Sequence, residues 1–274
     1  MPGASAAGPC ADGTQAAPAD APVIEVREIV TRFGTQTVHD GVSFAIDRGT
    51  LVALIGGSGT GKSVLLREII GLQRPTSGRI ALLGTDIGTA GAAALAAVRR
   101  RFGVTFQDGA LFSSLTVAQN VAVPLREHTS LAPATVDALV AMRLRQAGLP
   151  PEAGAKLPSE LSGGMRKRAA IARAIALEPE VLFLDEPTSG LDPITARAFD
   201  RMLRALVDDL GITVLVVTHD LDTLLTVADR VIVLARGKVL ADGTAAEVMA
   251  VDDEWIRRYF ALRRMTGGNT ADGS

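Results

Sequence analysis

The stretch GGSGTGKS, Gly56 to Ser63, constrains this chain more than any other eight residues in it. It follows TLVALI, an apolar run of strand length, and it opens KSVLLREIIG, whose apolar spacing is that of a helix. A strand that enters a glycine-rich turn and leaves as a helix lets backbone N–H groups wrap an anion, helped by partial positive charge at the helix start. Gly56, Gly57, Gly59 and Gly61 allow the backbone to take positive φ around that anion, with Ser58 and Thr60 completing the loop. Lys62 is expected to reach the β- and γ-phosphates of a nucleotide, and the Ser63 hydroxyl to ligate Mg2+. Such a turn calls for a sheet built from strand–helix–strand units.

The remaining runs fit that requirement. VIEVREI, RIALLG, FGVTFQ, VLFLDE, TVLVVT and RVIVLA recur between helix-period segments, and several are apolar on both faces, as buried parallel strands are. The first and last of them, spaced by turns such as DRG, ARGK and ADG, are expected in an antiparallel edge sheet. From Gln107 the pattern becomes helical, as in TVAQNVAVPL and PATVDALVAMRLRQAGL, which predicts a helical subdomain inserted at about 108–176. The fold class is therefore α/β, with a mostly parallel core, an antiparallel β subdomain and an inserted α subdomain. A hydrophobic content of 47% over 274 residues is ample for one large core, expected over 23–263.

The flanks differ in composition. Residues 1–22 are rich in Ala, Gly and Pro and read as a disordered tail, with no basic start and apolar core of the kind a secretory signal carries. Residues 264–274 are polar and read as a flexible end. The single cysteine, Cys10, excludes an internal disulfide and any cysteine-based metal cluster, which fits a reducing compartment. No apolar run approaches the ~20 residues of a spanning helix. The formal net charge of −2 gives no global attraction to nucleic acid or anionic lipid. The run Arg99 to Arg101 is read as a solvated helix end, and His128 as a surface or hydrogen-bonding residue, since it lacks neighbours at ligand spacing.

VLFLDEP supplies the acid that a phosphate loop needs. Its apolar strand ends on Asp185, the carboxylate expected near Mg2+, and Glu186 follows as a group able to orient and deprotonate water. Alone, both would read as ordinary strand-end residues before Pro187. The helix former MRKRAAIARAIAL gives a second helix start at Ser162, Gly163 and Gly164, where Ser162 is a good N-cap and the free N–H groups suit a phosphate. Asp192, before Pro193, is likewise a good N-cap for PITARAFDRML.

LSGGMRKR, Leu161 to Arg168, resembles the signature motif of the ATP-binding-cassette ATPases, and other motifs of that family follow in order. Gln107 stands where the family has its Q-loop, a residue that senses the nucleotide and its Mg2+. Asp185 and Glu186 stand at the acidic strand end, SGLD at Ser189 to Asp192 at the D-loop, and His219 in VTHD at the switch histidine. The resemblance spans about Val23 to Phe260 and implies ATP hydrolysis in a head-to-tail homodimer. Each nucleotide is then held between one phosphate loop and the partner's signature residues. It also implies that Glu186 is the base and that His219 positions the γ-phosphate and the attacking water. Phe33 stands where the family has an aromatic ring on adenine, although a flat apolar ring fits a core position equally well, and Val38 is assigned to the same pocket.

The segment QDGALFSSLTVAQNVAVPLREHTSL, together with SGGM and DPIT, is similar to the ATPases of Mla or MCE-type lipid transporters. That resemblance implies two copies of the ATPase under two copies of an MlaE-type permease. An MCE-domain protein handles phospholipid or another lipid on the far side, and in some systems a small regulatory subunit joins. The expected location is peripheral, on the cytoplasmic face of the inner membrane, with no nucleic acid as partner. Some relatives carry a longer C-terminal clasp, whereas here the chain stops soon after YFALRRM. Leu111, Phe112, Leu115 and Val117 are divided between a groove for a permease helix and the core of the helical subdomain. Other readings stay open: an importer ATPase for a small polar solute, a soluble cassette ATPase, or a module that dimerises on ATP without turnover.

Overall fold

A computed structural model describes residues 21–106, 109–220 and 225–266, with side chains to residue 261. The chain runs β1 (Ile24–Phe33), β2 (Gln36–Ile46), β3 (Leu51–Ile55), α1 (Lys62–Ile69), β4 (Ser77–Leu82), β5 (Thr85–Asp86), α2 (Ala92–Arg99) and β6 (Phe102–Thr105). It continues with α3 (Val117–His128), α4 (Pro133–Gln146), two short 3-10 turns, α5 (Gly163–Ala174), β7 (Val181–Asp185), α6 (Pro193–Leu210) and β8 (Thr213–Val217). The last elements are β9 (Arg230–Ala235), β10 (Lys238–Gly243), α7 (Ala245–Met249) and α8 (Glu254–Thr266), which ends past the boundary expected at 263.

Six strands form the central sheet in the order β10-β9-β3-β8-β7-β6, and all neighbours are parallel except β10 on β9. The period of two in the strands divides the core cleanly. Leu51, Ala53, Ile55, Leu182, Leu184, Val214 and Val216 face one cluster, shared with α3, α4, α5 and α6. Val52, Leu54, Val181, Phe183, Leu215 and Val217 face the other, shared with Leu65, Leu66 and Ile69 of α1 and with the second sheet. Runs apolar at every position are thus explained by burial on both faces.

The second sheet is antiparallel, in the order β2-β1-β4-β5. Its strand β2, QTVHDGVSFAI, buries only alternate parts of its length, the pattern of a one-sided sheet, and is absent from the runs that two-sided hydrophobicity picks out. One expectation is corrected here. RVIVLA, placed by sequence among the antiparallel edge strands, is β9, an internal strand parallel to β3 whose antiparallel partner is β10. Val231 to Leu234 are all fully buried, which an edge position could not provide. Among the described residues, no helix is long and apolar enough to cross a membrane.

Candidate active site

The parallel register aligns the C-terminal ends of three strands, with Leu54 of β3 and Asp185 of β7 both opposite Val217 of β8. The loop 56–61 follows β3, Glu186 follows β7 and His219 lies just past β8, so these groups meet in the crevice where open α/β sheets bind ligands.

Two glycines in the loop are required by close approach. A Cβ on Gly56 would lie 2.3 Å from the Leu234 carbonyl oxygen, and one on Gly61, at φ 93°, would lie 2.5 Å from Val38 Cγ1 and 2.4 Å from His39 Nε2. Ser58 and Gly59 are exposed at the loop tip, while the Thr60 hydroxyl donates to the Gly57 carbonyl at 2.9 Å. Lys62 Nζ donates to the carbonyls of Gly56 and Gly57 at 2.8 and 2.9 Å, held along the loop it belongs to. Burial pulls its ammonium below the ordinary lysine range, and the charges of Glu186 and Asp185 oppose that pull.

The Ser63 hydroxyl donates to Asp185 Oδ1 at 3.2 Å. Asp185 is pushed above the ordinary carboxyl range, chiefly by burial and also by the like charge of Glu186, against the Ser63 hydrogen bond and the cations Arg67 and Lys62. Glu186 adopts φ 50°, a left-handed conformation costly for a non-glycine residue, and its N–H donates to the Val217 carbonyl at 2.8 Å. Its Oε2 is buried, lies 2.7 Å from His219 Nδ1 without an aligned hydrogen bond, and has no hydrogen-bond partner among the described residues. His219 is 68% exposed and therefore open to a group arriving from outside.

A second group of predicted residues lies nearby. Ser162 caps α5 by accepting from the Met165 N–H at 3.2 Å, and Asp192 caps α6 by accepting from the N–H groups of Ile194 and Thr195 at 3.0 Å. The Thr195 hydrogen bonds hold the exposed Asp192 carboxyl below its usual range. Nothing lies within 4 Å of a Cβ placed on Gly163, whereas one on Gly164 would lie 2.7 Å from Thr195 Cγ2. The two capped helix starts are thus pressed together at Gly164.

Phe33 is half exposed at the end of β1, opposite Gln36, and Val38 touches the phosphate loop through Gly61. Gln107 lies outside the described residues. Among those described, no group of three or more His, Cys, Asp or Glu side chains is placed to hold a metal.

Two contributions escaped the sequence reading. Lys167 of α5 donates from Nζ to the Ser189 carbonyl at 2.7 Å, the Ser189 hydroxyl at 3.1 Å and the Glu186 carbonyl at 3.3 Å, tying the helical segment to the backbone that carries Glu186. The C-terminal helix also reaches the site: Trp255 Nε1 would lie 3.4 Å from a Cβ on Gly57, and its ring stacks on Tyr259 at 4.7 Å. Burial, with the charges of Glu186 and Asp220, pushes the Tyr259 hydroxyl well above the ordinary phenol range. Neither contribution has a local signal, because lysine on a helix and an amphipathic C-terminal segment are both commonplace.

Residues 39–189 match the family model described as "ABC transporter". The chain is 41% identical over 238 residues to the intermembrane phospholipid transport system ATP-binding protein MlaF of Escherichia coli, covering 86% of this chain and 88% of that protein. It is 39% identical over 242 residues to "Probable ribonucleotide transport ATP-binding protein mkl" of Mycobacterium tuberculosis, covering 88% of this chain and 67% of that one. Among solved structures, cbiO1 from Clostridium perfringens, part of the ABC transporter complex cbiONQ, superposes with a TM-score of 0.78 at 32% identity, over 90% of this chain and 98% of that one. The ATP-binding cassette MJ0796, solved as a dimer in a post-hydrolysis state with ADP and Pi, gives 0.74 at 29% identity over 81% and 98%. A phosphate loop, an acidic strand end and a histidine gathered at one sheet end, together with these matches, identify the chain as an ATP-hydrolysing subunit belonging to the ABC transporter family.

Proposed function

We propose that this ATPase, with its domain over 23–263 and a helical subdomain at 108–176, powers a lipid transporter. In that reading two copies form a homodimer on the cytoplasmic face of the inner membrane beneath an MlaE-type permease. An MCE-domain lipid-binding protein acts on the far side, and a small regulatory subunit is the further partner.

The presentation of Phe112 carries this reading. Asn120, fully buried, accepts from the Phe112 N–H at 2.8 Å and donates through Nδ2 to the carbonyls of Phe112, Leu115 and Thr116. The loop so held leaves Phe112 51% exposed, with the Arg173 guanidinium 5.8 Å from its ring centre. Arg173 also donates to the carbonyls of Gly109 and Ala110 at 3.0 and 2.8 Å. Val117 is fully buried and belongs to the core, whereas Leu111 and Leu115 are partly buried beside Phe112. A rigidly held, exposed aromatic suits a pocket on a partner, and the segment that builds it is the one shared in kind with lipid-transport ATPases. The 41% identity to MlaF points the same way.

For the chemistry, Ser63 and Asp185 present a hydroxyl and a carboxylate 3.2 Å apart, a donor set that suits Mg2+, which takes oxygen ligands and is commonly completed by phosphates and water. Gln107 is assigned to the same ion. When bound, the ion would neutralise charge on the phosphates. Lys62 exchanges its loop carbonyls for β- and γ-phosphate oxygens, and Gly56 to Ser63 cradle them through their N–H groups. Glu186 accepts the proton of the attacking water while His219 and Gln107 orient that water and the γ-phosphate. Phe33 stacks on adenine and Val38 borders it. Ser162, Gly163, Gly164 and Asp192 act across the dimer on the nucleotide held by the other copy.

The test joins both halves of the reading. Glu186→Gln is expected to bind ATP but lose turnover, and Phe112→Asp to bind ATP but lose co-purification with the permease. Lipid extracted with the wild-type assembly is expected to be phospholipid. The mycobacterial relative's name motivates a second reading, a polar solute as cargo, and recovery of a ribonucleotide other than ATP or ADP, with no lipid, would favour it.

A further inference from the structure

Beneath the phosphate loop lies a buried polar chain that the chemistry above does not use. The β1–β2 register sets Thr31 opposite His39, and Glu68 of α1 faces both; their exposures are 2%, 0% and 1%. The Thr31 hydroxyl donates to Glu68 Oε1 at 2.8 Å, and His39 Nδ1 lies 2.8 Å from Thr31 Oγ1 and 3.4 Å from Glu68 Oε2. At the other edge of the ring, His39 Nε2 lies 3.2 Å from the Gly61 carbonyl oxygen.

That last contact has one chemical solution. A carbonyl only accepts, so Nε2 carries the proton and donates it. The Gly61 oxygen therefore receives two hydrogen bonds, from His39 and from the Leu65 N–H at 2.8 Å, the first of α1. Because the peptide is planar and trans, holding the Gly61 carbonyl also holds the Lys62 N–H, which points the opposite way. The Lys62 N–H lies at the helix start, where the anion cradle forms.

We propose that His39 is a positioning residue for nucleotide binding. It clamps the Gly61–Lys62 peptide so that the Lys62 N–H aims into the phosphate cradle, and Glu68 and Thr31 hold its ring in the donating orientation. The antiparallel sheet thereby supplies part of the phosphate site through a side chain that touches no ligand. Glu68 Oε2, 3.4 Å from His39 Nδ1, makes no hydrogen bond among the described residues, so the network is incompletely satisfied and specifies geometry at some cost in stability.

A double replacement separates the two roles. His39→Phe with Glu68→Leu removes both ionisable groups of the chain and leaves the Thr31 hydroxyl without them, so the gain often seen on apolar replacement of a buried ionic group is offset by one unpaired hydroxyl. The full-length protein carrying both changes is expected to stay folded and to melt near the wild-type temperature while its equilibrium Kd for ATP rises about tenfold, the loss expected for one well-placed hydrogen bond. His39→Gln, which returns an N–H near the Nε2 position, is expected to recover most of that affinity, and His39→Met is not. Turnover at saturating ATP should change less than Kd in all of them. A folded double variant with wild-type Kd overturns the assignment. Should the double variant not fold, equal Kd values for His39→Gln and His39→Met overturn it instead.

Discussion

Replacing Lys167 by Met tests how the helical segment controls the strand end that carries Glu186, the proposed base. The ammonium donates to the Ser189 carbonyl (2.7 Å), the Ser189 hydroxyl (3.1 Å) and the Glu186 carbonyl (3.3 Å). Met keeps the length and apolar body of the stem and removes every donor. Glu186 sits at φ 50°, a conformation that costs about 1–3 kcal/mol for a residue with a Cβ and persists only while its surroundings hold it. Of the restraints on it, the Val217 contact and the Ser189 N–H bond to the Glu186 carbonyl (3.3 Å) survive the substitution and the Lys167 contact does not. A charge-assisted hydrogen bond contributes about 1.5–3 kcal/mol, of which only part acts on Glu186. Where the strain exceeds the remaining restraints by about 1.4 kcal/mol, the relaxed backbone is favoured about tenfold and roughly a tenth of the molecules keep Glu186 in place. Turnover at saturating ATP is therefore expected to fall about tenfold, with ATP affinity nearly unchanged because the phosphate loop is untouched. The assay is steady-state ATP hydrolysis alongside equilibrium binding. A Lys167→Met protein that binds ATP normally and turns over within twofold of wild type would refute the coupling.

Two further substitutions test the packing around the site. Gly164→Ala gains about 1 kcal/mol of helix propensity, yet its Cβ would sit 2.7 Å from Thr195 Cγ2, an overlap that costs roughly 1–3 kcal/mol. Thermal unfolding is expected to show a net loss that Thr195→Ser, which deletes that methyl and keeps the hydroxyl, largely restores; persistence of the loss would place the cost elsewhere. Tyr259→Phe removes a buried hydroxyl that has no hydrogen-bond partner among the described residues. Stability to urea is expected to hold or to rise by about 1 kcal/mol, and a clear loss would mean that the hydroxyl has a partner in solution.

The legible part of the site was contiguous. Eight residues from Gly56 to Ser63 carry the loop, its lysine and its hydroxyl together, and their meaning needs only a strand before them and a helix after. The caps at Ser162 and Asp192 were legible for the same reason, since each serves N–H groups two or three residues away. Val117 and Phe112 show where this kind of reading stops. Both are large and apolar, five residues apart, and only the fold buries the first and leaves the second half exposed. The placement of β9 fails similarly, because a turn and a short strand look alike at a sheet's edge and in its interior.

By itself, then, the sequence determined where a glycine-rich strand-to-helix turn and two helix caps would form and which runs would be buried on both faces, because these depend on neighbours within a turn or a strand. The tertiary structure alone decided who holds those residues in place. His39 reaches Gly61 across 22 residues, Lys167 reaches Glu186 across 19, and Trp255 lies against Gly57 from the far end of the chain. Such meetings follow from strand register and crossover order, through which one sheet end collects groups that share no local pattern.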